Sequence, residues 1–148
     1  MKVLQALKKF NFEHVDVVVG NSNPMKETIR EICLERGYVY HCQIDYMAQL
    51  MIQADFAIGA GGATLWERCY VGLPSSSTIV ADNQKDTTTL AHELQVTINL
   101  GWHEHVTAKT YAQLLQQIDV GHMSEKGLNL TATDRPNAWC HQLLELIT

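Results

Sequence analysis

The apolar and polar positions of the chain follow two alternating patterns, one with the period of a helix and one with the length of a short buried strand. Apolar residues at helical spacing open the chain at Val3–Phe10, and the apolar run Val15–Val19 that follows has the length of a buried strand. This alternation continues along the sequence and predicts an α/β layered domain with a mostly parallel sheet flanked by helices. The predicted strands are 15–19, 38–44, 56–59, 76–81 and 96–100, and the predicted helices are 3–10, one between Pro24 and Gly37, 46–53, 64–71, 86–94, 107–118 and 137–147.

The segment between the first strand and the second helix has the residues of a turn that leads into a helix. In Gly20–Pro24, Ser22 or Asn23 is suited to the N-cap position and Pro24 to the first helical position. Gly37 is suited to end the same helix. Because parallel α/β sheets bind ligands beyond the carboxyl ends of their strands, we expect functional residues in the loops after Val19, Ile44, Ile58 and Ala81.

The most informative of these loops is the glycine turn, which we define as Gly59–Ala63. It follows a predicted strand and precedes a predicted helix. Glycines let the backbone approach a ligand closely, and a helix N terminus offers free N–H groups and partial positive charge to an anion such as a diphosphate. The alternative is an ordinary strand-to-helix connection in which Thr64 and Glu67 form a capping box. The spacing of the residues is consistent with both interpretations.

A second polar loop, Ala81–Gln84, follows the next predicted strand and lies on the same edge of the sheet. Its neighbouring amide side chains supply both donors and acceptors, which suits a sugar or another polyhydroxyl ligand. The alternative is that Asp82 or Asn83 caps the helix that follows.

Composition and charge limit the classes of partner. The 148 residues are 46% apolar and 18% charged, as expected for one globular domain over 1–148. With a net charge of −5 and no basic cluster, we expect no nucleic-acid binding, so a bound phosphate must be held mainly by backbone N–H groups. Apolar stretches such as Phe56–Ala60 are far shorter than the roughly 20 residues of a membrane span, and no signal-type block is found at the N terminus. We therefore expect a soluble cytoplasmic protein.

The sequence predicts no metal site and no cofactor. His103-Glu104-His105, with His92 as a third candidate, lacks the spacing of a recognised ligand motif. The four cysteines have no close C-x-x-C pairing, which indicates reduced thiols. Ser75-Ser76-Ser77 is expected to enter a strand rather than to form part of a catalytic triad.

The central part of the chain resembles a known family. Residues 54–69, with Gly72-Leu73-Pro74 and Ala81–Gln84, are similar to the nucleotide-binding half of the UDP-sugar hydrolases of pseudaminic acid biosynthesis and of related spore-coat polysaccharide proteins. These proteins belong to the GT-B glycosyltransferase superfamily, whose members bind a UDP-sugar between two Rossmann-like domains. The resemblance is most specific over residues 54–84 and extends more weakly over nearly the whole chain. It implies a Rossmann-like fold of the GT-B C-terminal-domain type.

The resemblance also implies roles for individual residues. Gly61, Gly62, Ala63 and Thr64 would face the diphosphate, and Glu67 would hold the ribose hydroxyls. The backbone near Ile44 would meet the uracil edge. Asn83 and Gln84 would reach toward the sugar, and Asn21 and Ser22 would close the phosphate side.

Two departures from the family pattern affect the expected activity. The family's general base is a histidine of the other, N-terminal domain, and members begin this half with a strand and a glycine-rich loop before the helix that corresponds to Val3–Phe10. The resemblance therefore implies a UDP-sugar-binding domain without the family's first strand, with no catalytic residue of its own and in need of a separate N-terminal catalytic chain. The alternative is a truncated, non-catalytic binding or interaction module that self-associates as a homo-oligomer through its unpaired sheet edge.

Overall fold

The computed structural model describes residues 1–132 and confirms the predicted alternation of strands and helices. The predicted helix 137–147 lies outside the described residues. The elements, in chain order, are α1 (Lys2–Leu7), β1 (Asp16–Val19), α2 (Lys26–Arg36), β2 (Val39–Cys42), α3 (Met47–Gln53), β3 (Ala57–Ala60), α4 (Ala63–Tyr70), β4 (Ser75–Ile79), α5 (Lys85–Glu93), β5 (Ile98–Trp102), α6 (Ala108–Gln116) and α7 (Met123–Thr131).

The chain divides into two compact units, each with its own parallel sheet. Unit 1 contains Met1–Leu50 and Glu104–Ile118, and unit 2 contains Met51–His103 and the described residues from Asp119 onward. Within residues 1–132 the strands form a two-stranded sheet, β1-β2, and a three-stranded sheet with the order β3-β4-β5. The predicted parallel sheet is thus found as two parallel sheets flanked by helices, and the expectation of a single domain over 1–148 stays a prediction.

Unit 1 is built around the parallel pair β1-β2, whose register runs from Asp16 opposite Val39 to Val19 opposite Cys42. Its core combines one strand with the inward faces of two helices. The buried members are Leu4 and Leu7 of α1, Val19 of β1, and Ile29 and Cys33 of α2. Gly37 ends α2 in the left-handed conformation, with φ at 71°, as the sequence predicts.

Unit 2 has β4 as its central strand, and all five residues of this strand are buried although four of them carry hydroxyl groups. Two of the hydroxyls have partners outside the strand: Thr97 Oγ1 lies 3.2 Å from Ser75 Oγ and 2.9 Å from Ser77 Oγ, whereas the buried Ser76 Oγ has no hydrogen-bond partner within the described residues. Hydrogen bonds to Ser75 and Ser77 thus offset part of the cost of placing a polar strand in the middle of the sheet. The serine run enters a strand, as predicted.

The start of α2 differs from the prediction. The regular helix begins at Lys26, with Met25 at the N-cap position, rather than at Pro24 after Ser22 or Asn23. The Asn23 side chain accepts a hydrogen bond of 2.9 Å from the Met25 N–H, and the Lys26 N–H bonds the Asn23 carbonyl. Asn23 thus closes a separate turn, and this turn delays the helix by two residues.

The helix α7 was missed by the sequence pattern, which predicts no element between 118 and 137. Its buried residues are Met123 and Gly127, four positions apart, and a glycine contributes no apolar side chain to a periodicity. Gly127 lies against α4, where an added Cβ would be 3.2 Å from the Cys69 carbonyl oxygen. The helix is thus held by close backbone packing rather than by a stripe of large apolar side chains.

Among the helices of residues 1–132, none combines the length and the apolar character that a membrane crossing requires.

Candidate functional site

The glycine turn lies at the carboxyl edge of the unit 2 sheet, where β3 passes into α4. The Gly61 N–H donates a hydrogen bond of 3.0 Å to the Thr78 carbonyl of β4, which fixes the turn against the neighbouring strand. Gly62 is the N-cap residue of α4, with φ at −83° and ψ at −157°. Because the first N–H groups of a helix have no partners within it, the turn presents free donors and partial positive charge at the sheet edge.

The capping-box interpretation of Thr64 and Glu67 is wrong. Gly62, not Thr64, is the N-cap of α4, and within the described residues no side chain caps this helix. A capping box requires its hydroxyl at the N-cap and its acid three residues later, so Thr64 and Glu67 are out of register for it. Glu67 is exposed in the middle of α4, and its carboxylate is not used as a helix cap.

The three positions of the turn are occupied by glycine for different structural reasons. A Cβ on Gly59 would overlap Nη1 of Arg68, and a Cβ on Gly61 would overlap Oγ1 of the buried Thr88. At Gly62, in contrast, an added Cβ would meet only the end of the Gln84 side chain, 3.2 Å from Nε2. Gly59 and Gly61 are therefore required by packing inside the protein, and Gly62 is the position at which the backbone is open to an approaching ligand.

Arg68 lies beneath the glycine turn and is the one charged side chain buried among residues 1–132, with 3% of its surface exposed. Its Nη2 donates to the Ala60 carbonyl oxygen at 2.9 Å and to Ser77 Oγ at 3.0 Å, and its Nη1 lies 3.5 Å from Thr64 Oγ1. Its Nε has no hydrogen-bond partner in the described part of the chain. Burial lowers the pKa of the Arg68 guanidinium from its ordinary value.

The second predicted loop contributes Gln84 to the same place. Residues Asp82–Gln84 form a short 3-10 turn, and Gln84 is the N-cap of α5, so neither Asp82 nor Asn83 caps that helix. Gln84 Oε1 accepts a hydrogen bond of 3.1 Å from the Val80 N–H at the end of β4. Since its oxygen is held by the strand, the Gln84 amide directs its Nε2 donor toward Gly62. Asn83 is exposed beside it.

The remaining predicted site residues belong to unit 1. Asn21 and Ser22 are exposed in the turn after β1, and Asn21 Oδ1 accepts a hydrogen bond of 2.9 Å from Lys26 Nζ. Ile44 lies in the loop after β2, directly after Gln43, whose φ of 50° is left-handed. A non-glycine residue in this region indicates a loop with a defined conformation.

The structure thus brings five of the ten predicted site residues together at the glycine turn. Two others are exposed and are near these five in the sequence. Those brought together are Gly61, Gly62, Ala63, Thr64 and Gln84. Glu67 and Asn83 are exposed in the same unit, and Asn21, Ser22 and Ile44 are in unit 1.

Two other polar features of unit 2 lie away from the glycine turn. The His103 N–H bonds the Ile79 carbonyl and extends the β4-β5 ladder, and within residues 1–132 no three metal-ligating side chains converge. A cavity of about 280 Å³ lies at the amino end of β5 and is bordered by His92, His122 and Lys126. His92 Nδ1 faces the Thr97 carbonyl, His122 pairs with Glu125, and Lys126 bonds Gln95, so these polar groups are used within the protein.

Comparisons with known proteins support the fold. No protein-family profile and no curated protein matches this sequence. Among solved structures, the chain is similar to MurG of Acinetobacter baumannii, with a TM-score of 0.70 and 17% sequence identity over 98% of this chain. The chain has a Rossmann-like α/β fold. This fold is similar to the GT-B C-terminal domain of MurG, and the chain spans 44% of the length of the MurG chain.

Sequence reasoning missed Arg68 and Lys26, two cations that the structure places next to the predicted site residues Thr64 and Asn21. Arg68 shares the buried face of α4 with Leu65 and Cys69, and a charged residue in register with an apolar face is a signal that a sequence can give. Lys26 gives no such signal, because its pairing with Asn21 depends on the turn that precedes α2.

Proposed function

We propose that this chain is the nucleotide-sugar-binding part of a UDP-sugar hydrolase or glycosyltransferase-like protein whose catalytic base lies in a separate domain. The observation that carries the proposal is the uncapped N terminus of α4, which lies behind Gly62 at the carboxyl edge of a parallel sheet in a GT-B fold. Such an edge is where α/β proteins of this architecture bind ligands, and a helix N terminus favours a diphosphate.

In this proposal the diphosphate lies against Gly62, Ala63 and Thr64. Gly62 gives the ligand room, and the free N–H groups at the start of α4 donate to the phosphate oxygens. Gln84 Nε2 adds a side-chain donor on the same side, since its amide oxygen is already bonded to Val80. Gly61 supports this arrangement from inside by packing against Thr88.

The other predicted residues would recognise the nucleoside and the sugar. The exposed carboxylate of Glu67 would accept hydrogen bonds from the ribose hydroxyls, and Asn83 would meet the sugar. The roles that the resemblance implies for Ile44, Asn21 and Ser22, which belong to unit 1, stay predictions.

The reaction that fits this ligand is attack on the anomeric carbon with UDP as the leaving group. The α4 N terminus would stabilise the negative charge that develops on the departing diphosphate. The nucleophile would be water in a hydrolase, and the base that activates it would belong to the separate catalytic domain. The resemblance of residues 54–84 supports a role in surface polysaccharide or pseudaminic acid biosynthesis.

Calorimetry of UDP binding tests this proposal, with Glu67→Gln as the diagnostic variant. We expect wild-type protein to bind UDP and Glu67→Gln to bind it about tenfold or more weakly, because hydrogen bonds to a charged group contribute about 1.5–3 kcal/mol. The matched control is Glu93→Gln, which changes an exposed acid at the C-terminal end of α5. This variant should bind UDP like wild type. If no heat of binding is measured at UDP concentrations up to about 1 mM, the proposal is contradicted, because a dissociation constant of this size already corresponds to a binding free energy of only about −4 kcal/mol.

A further inference from the structure

Arg68 is a buried cation that forms no ion pair with a carboxylate within the described residues. Among the close contacts between basic and acidic side chains within residues 1–132 are those of His41 with Asp16 and of Arg30 with Glu27, and none that the structure describes includes Arg68. Glu67, its sequence neighbour, is exposed; its charge acts on Arg68 from a distance and offsets only part of the effect of burial on the Arg68 pKa. Because buried charges are ordinarily paired, the absence of an ion pair at Arg68 suggests that its counter-charge comes from a bound ligand.

The guanidinium of Arg68 lies near the N terminus of α4, where a positive charge is electrostatically unfavourable. Helix side chains point back toward the N terminus, and Arg68 accordingly brings its Nη1 to within 3.5 Å of Thr64 Oγ1, in the first turn of the helix. The N terminus of a helix is its positive end, where a cation is electrostatically unfavourable and an anion is favourable. The protein thus places two sources of positive charge together at the glycine turn, and the hydrogen-bond partners of the guanidinium are all neutral groups.

The contacts of Arg68 hold it under the turn rather than in the open. Nη2 is bonded to the Ala60 carbonyl and to Ser77 Oγ, which belongs to the central strand β4. Gly59 lacks the Cβ that would displace Nη1. The guanidinium is therefore fixed in position, and its low-dielectric surroundings strengthen its field at the turn.

We propose that Arg68 is the positioning residue that supplies the fixed positive charge of the site, with the diphosphate of the bound nucleotide as its counter-ion. This inference rests on the proposed function. Arg68 acts from beneath, through its field and through the Ala60 carbonyl it holds, while the backbone N–H groups of α4 make the contacts with the phosphate. It explains how a chain without a basic surface cluster compensates the charge of a diphosphate.

The test compares three ligands of increasing negative charge, uridine, UMP and UDP, with wild-type, Arg68→Met and Arg68→Lys proteins. Arg68→Met keeps the length of the side chain and removes its charge, whereas Arg68→Lys keeps the charge. We expect Arg68→Met to weaken UDP binding at least tenfold, UMP binding less and uridine binding not at all, and Arg68→Lys to retain most of the UDP affinity. A merely structural role would weaken all three ligands alike, so equal losses would overturn the inference.

A second measurement uses only wild-type protein and therefore does not depend on whether an Arg68 variant folds. In the wild-type protein, the side-chain Nε–H signal of Arg68 should shift on addition of inorganic pyrophosphate and not on addition of chloride at equal ionic strength. An unchanged Arg68 signal in protein that does bind UDP would overturn this inference and leave the proposed function standing. Failure of wild-type protein to bind UDP or pyrophosphate would instead overturn the proposed function itself.

Discussion

At the scale of single residues, the glycine turn shows that neighbouring glycines can be required for unrelated reasons. Gly59 makes room for Arg68 and Gly61 makes room for Thr88, whereas Gly62 has only the flexible end of Gln84 near its open side. Loss of function on mutating a glycine of this turn is therefore informative about ligand binding only at Gly62. The other two positions report first on the stability of the fold.

Replacement of Gly61 by alanine should destabilise the protein because its Cβ would overlap Thr88 Oγ1, in a side chain with no exposed surface. Overpacking of this kind costs about 1–3 kcal/mol of unfolding free energy. Urea unfolding of Gly61→Ala, Thr88→Ala and the double variant measures the coupling, and the double variant should be more stable than the sum of the two single losses predicts. Gly20→Ala is the control, since an added Cβ there meets nothing within 4 Å. Strictly additive losses would contradict the packing explanation.

The buried thiol of Cys69 should make stability depend on pH in the alkaline range. Burial raises the pKa of Cys69 from 9.0 to about 11. The unfolded thiol thus ionises at a lower pH than the folded one, and the stability present below pH 9 is lost as the pH rises toward 11. A difference of this size corresponds to at most about 3 kcal/mol. The unfolding free energy of wild type should fall relative to that of Cys69→Ala between these pH values. If the difference between the two proteins stays constant over this range, the buried thiol is not the cause of the pH dependence.

At the scale of secondary-structure elements, the sequence predicts most strands and helices because their apolar residues are large and regularly spaced. The strand with Val17 and Val19, of which only Val19 is fully buried, and the helix with Ile29 and Cys33 are of this kind. The start of α2 and the whole of α7 depend instead on a side-chain turn at Asn23 and on backbone packing at Gly127. Neither leaves a periodic trace in the sequence.

The candidate site follows the same division. The location of the glycine turn at a strand end could be predicted from the order of strand, glycines and helix. The N-cap position of Gly62 could not be distinguished from a capping box at Thr64, because both patterns fit the same residues. The depth of Arg68 depends on contacts with Ala60 and Ser77, which come from other elements of the fold.

The packing of α7 against α4 predicts a reversal of the usual effect of a helical glycine. Replacing a glycine by alanine within a helix normally stabilises it by about 1 kcal/mol. At Gly127 the new Cβ would lie 3.2 Å from the Cys69 carbonyl oxygen and 3.3 Å from the Cys69 Cα, which are backbone atoms that cannot rotate away. We expect Gly127→Ala to lower the thermal midpoint, and the exposed Asn129→Ala in the same helix to leave it unchanged or raise it. A midpoint for Gly127→Ala at or above that of wild type would refute this account of α7.

At the scale of the whole molecule, the proposed anionic ligand is compatible with a net charge of −5, because the positive charge of the proposed site is local and internal. It is supplied by the α4 N terminus and by Arg68, not by a surface cluster of lysines. Binding should therefore depend less on salt than binding through exposed side chains does, since buried charges are screened less.

A UDP titration followed by the backbone amide NMR signals of the whole chain tests most directly whether the start of α4 binds the diphosphate. The proposed function predicts saturable shifts that are largest at Gly62, Ala63 and Thr64, the residues at the start of α4. It also predicts that uridine without phosphate leaves these three signals nearly unchanged. Absence of shifts at the start of α4 at about 1 mM UDP, where even weak binding of about −4 kcal/mol would be visible, would contradict the account.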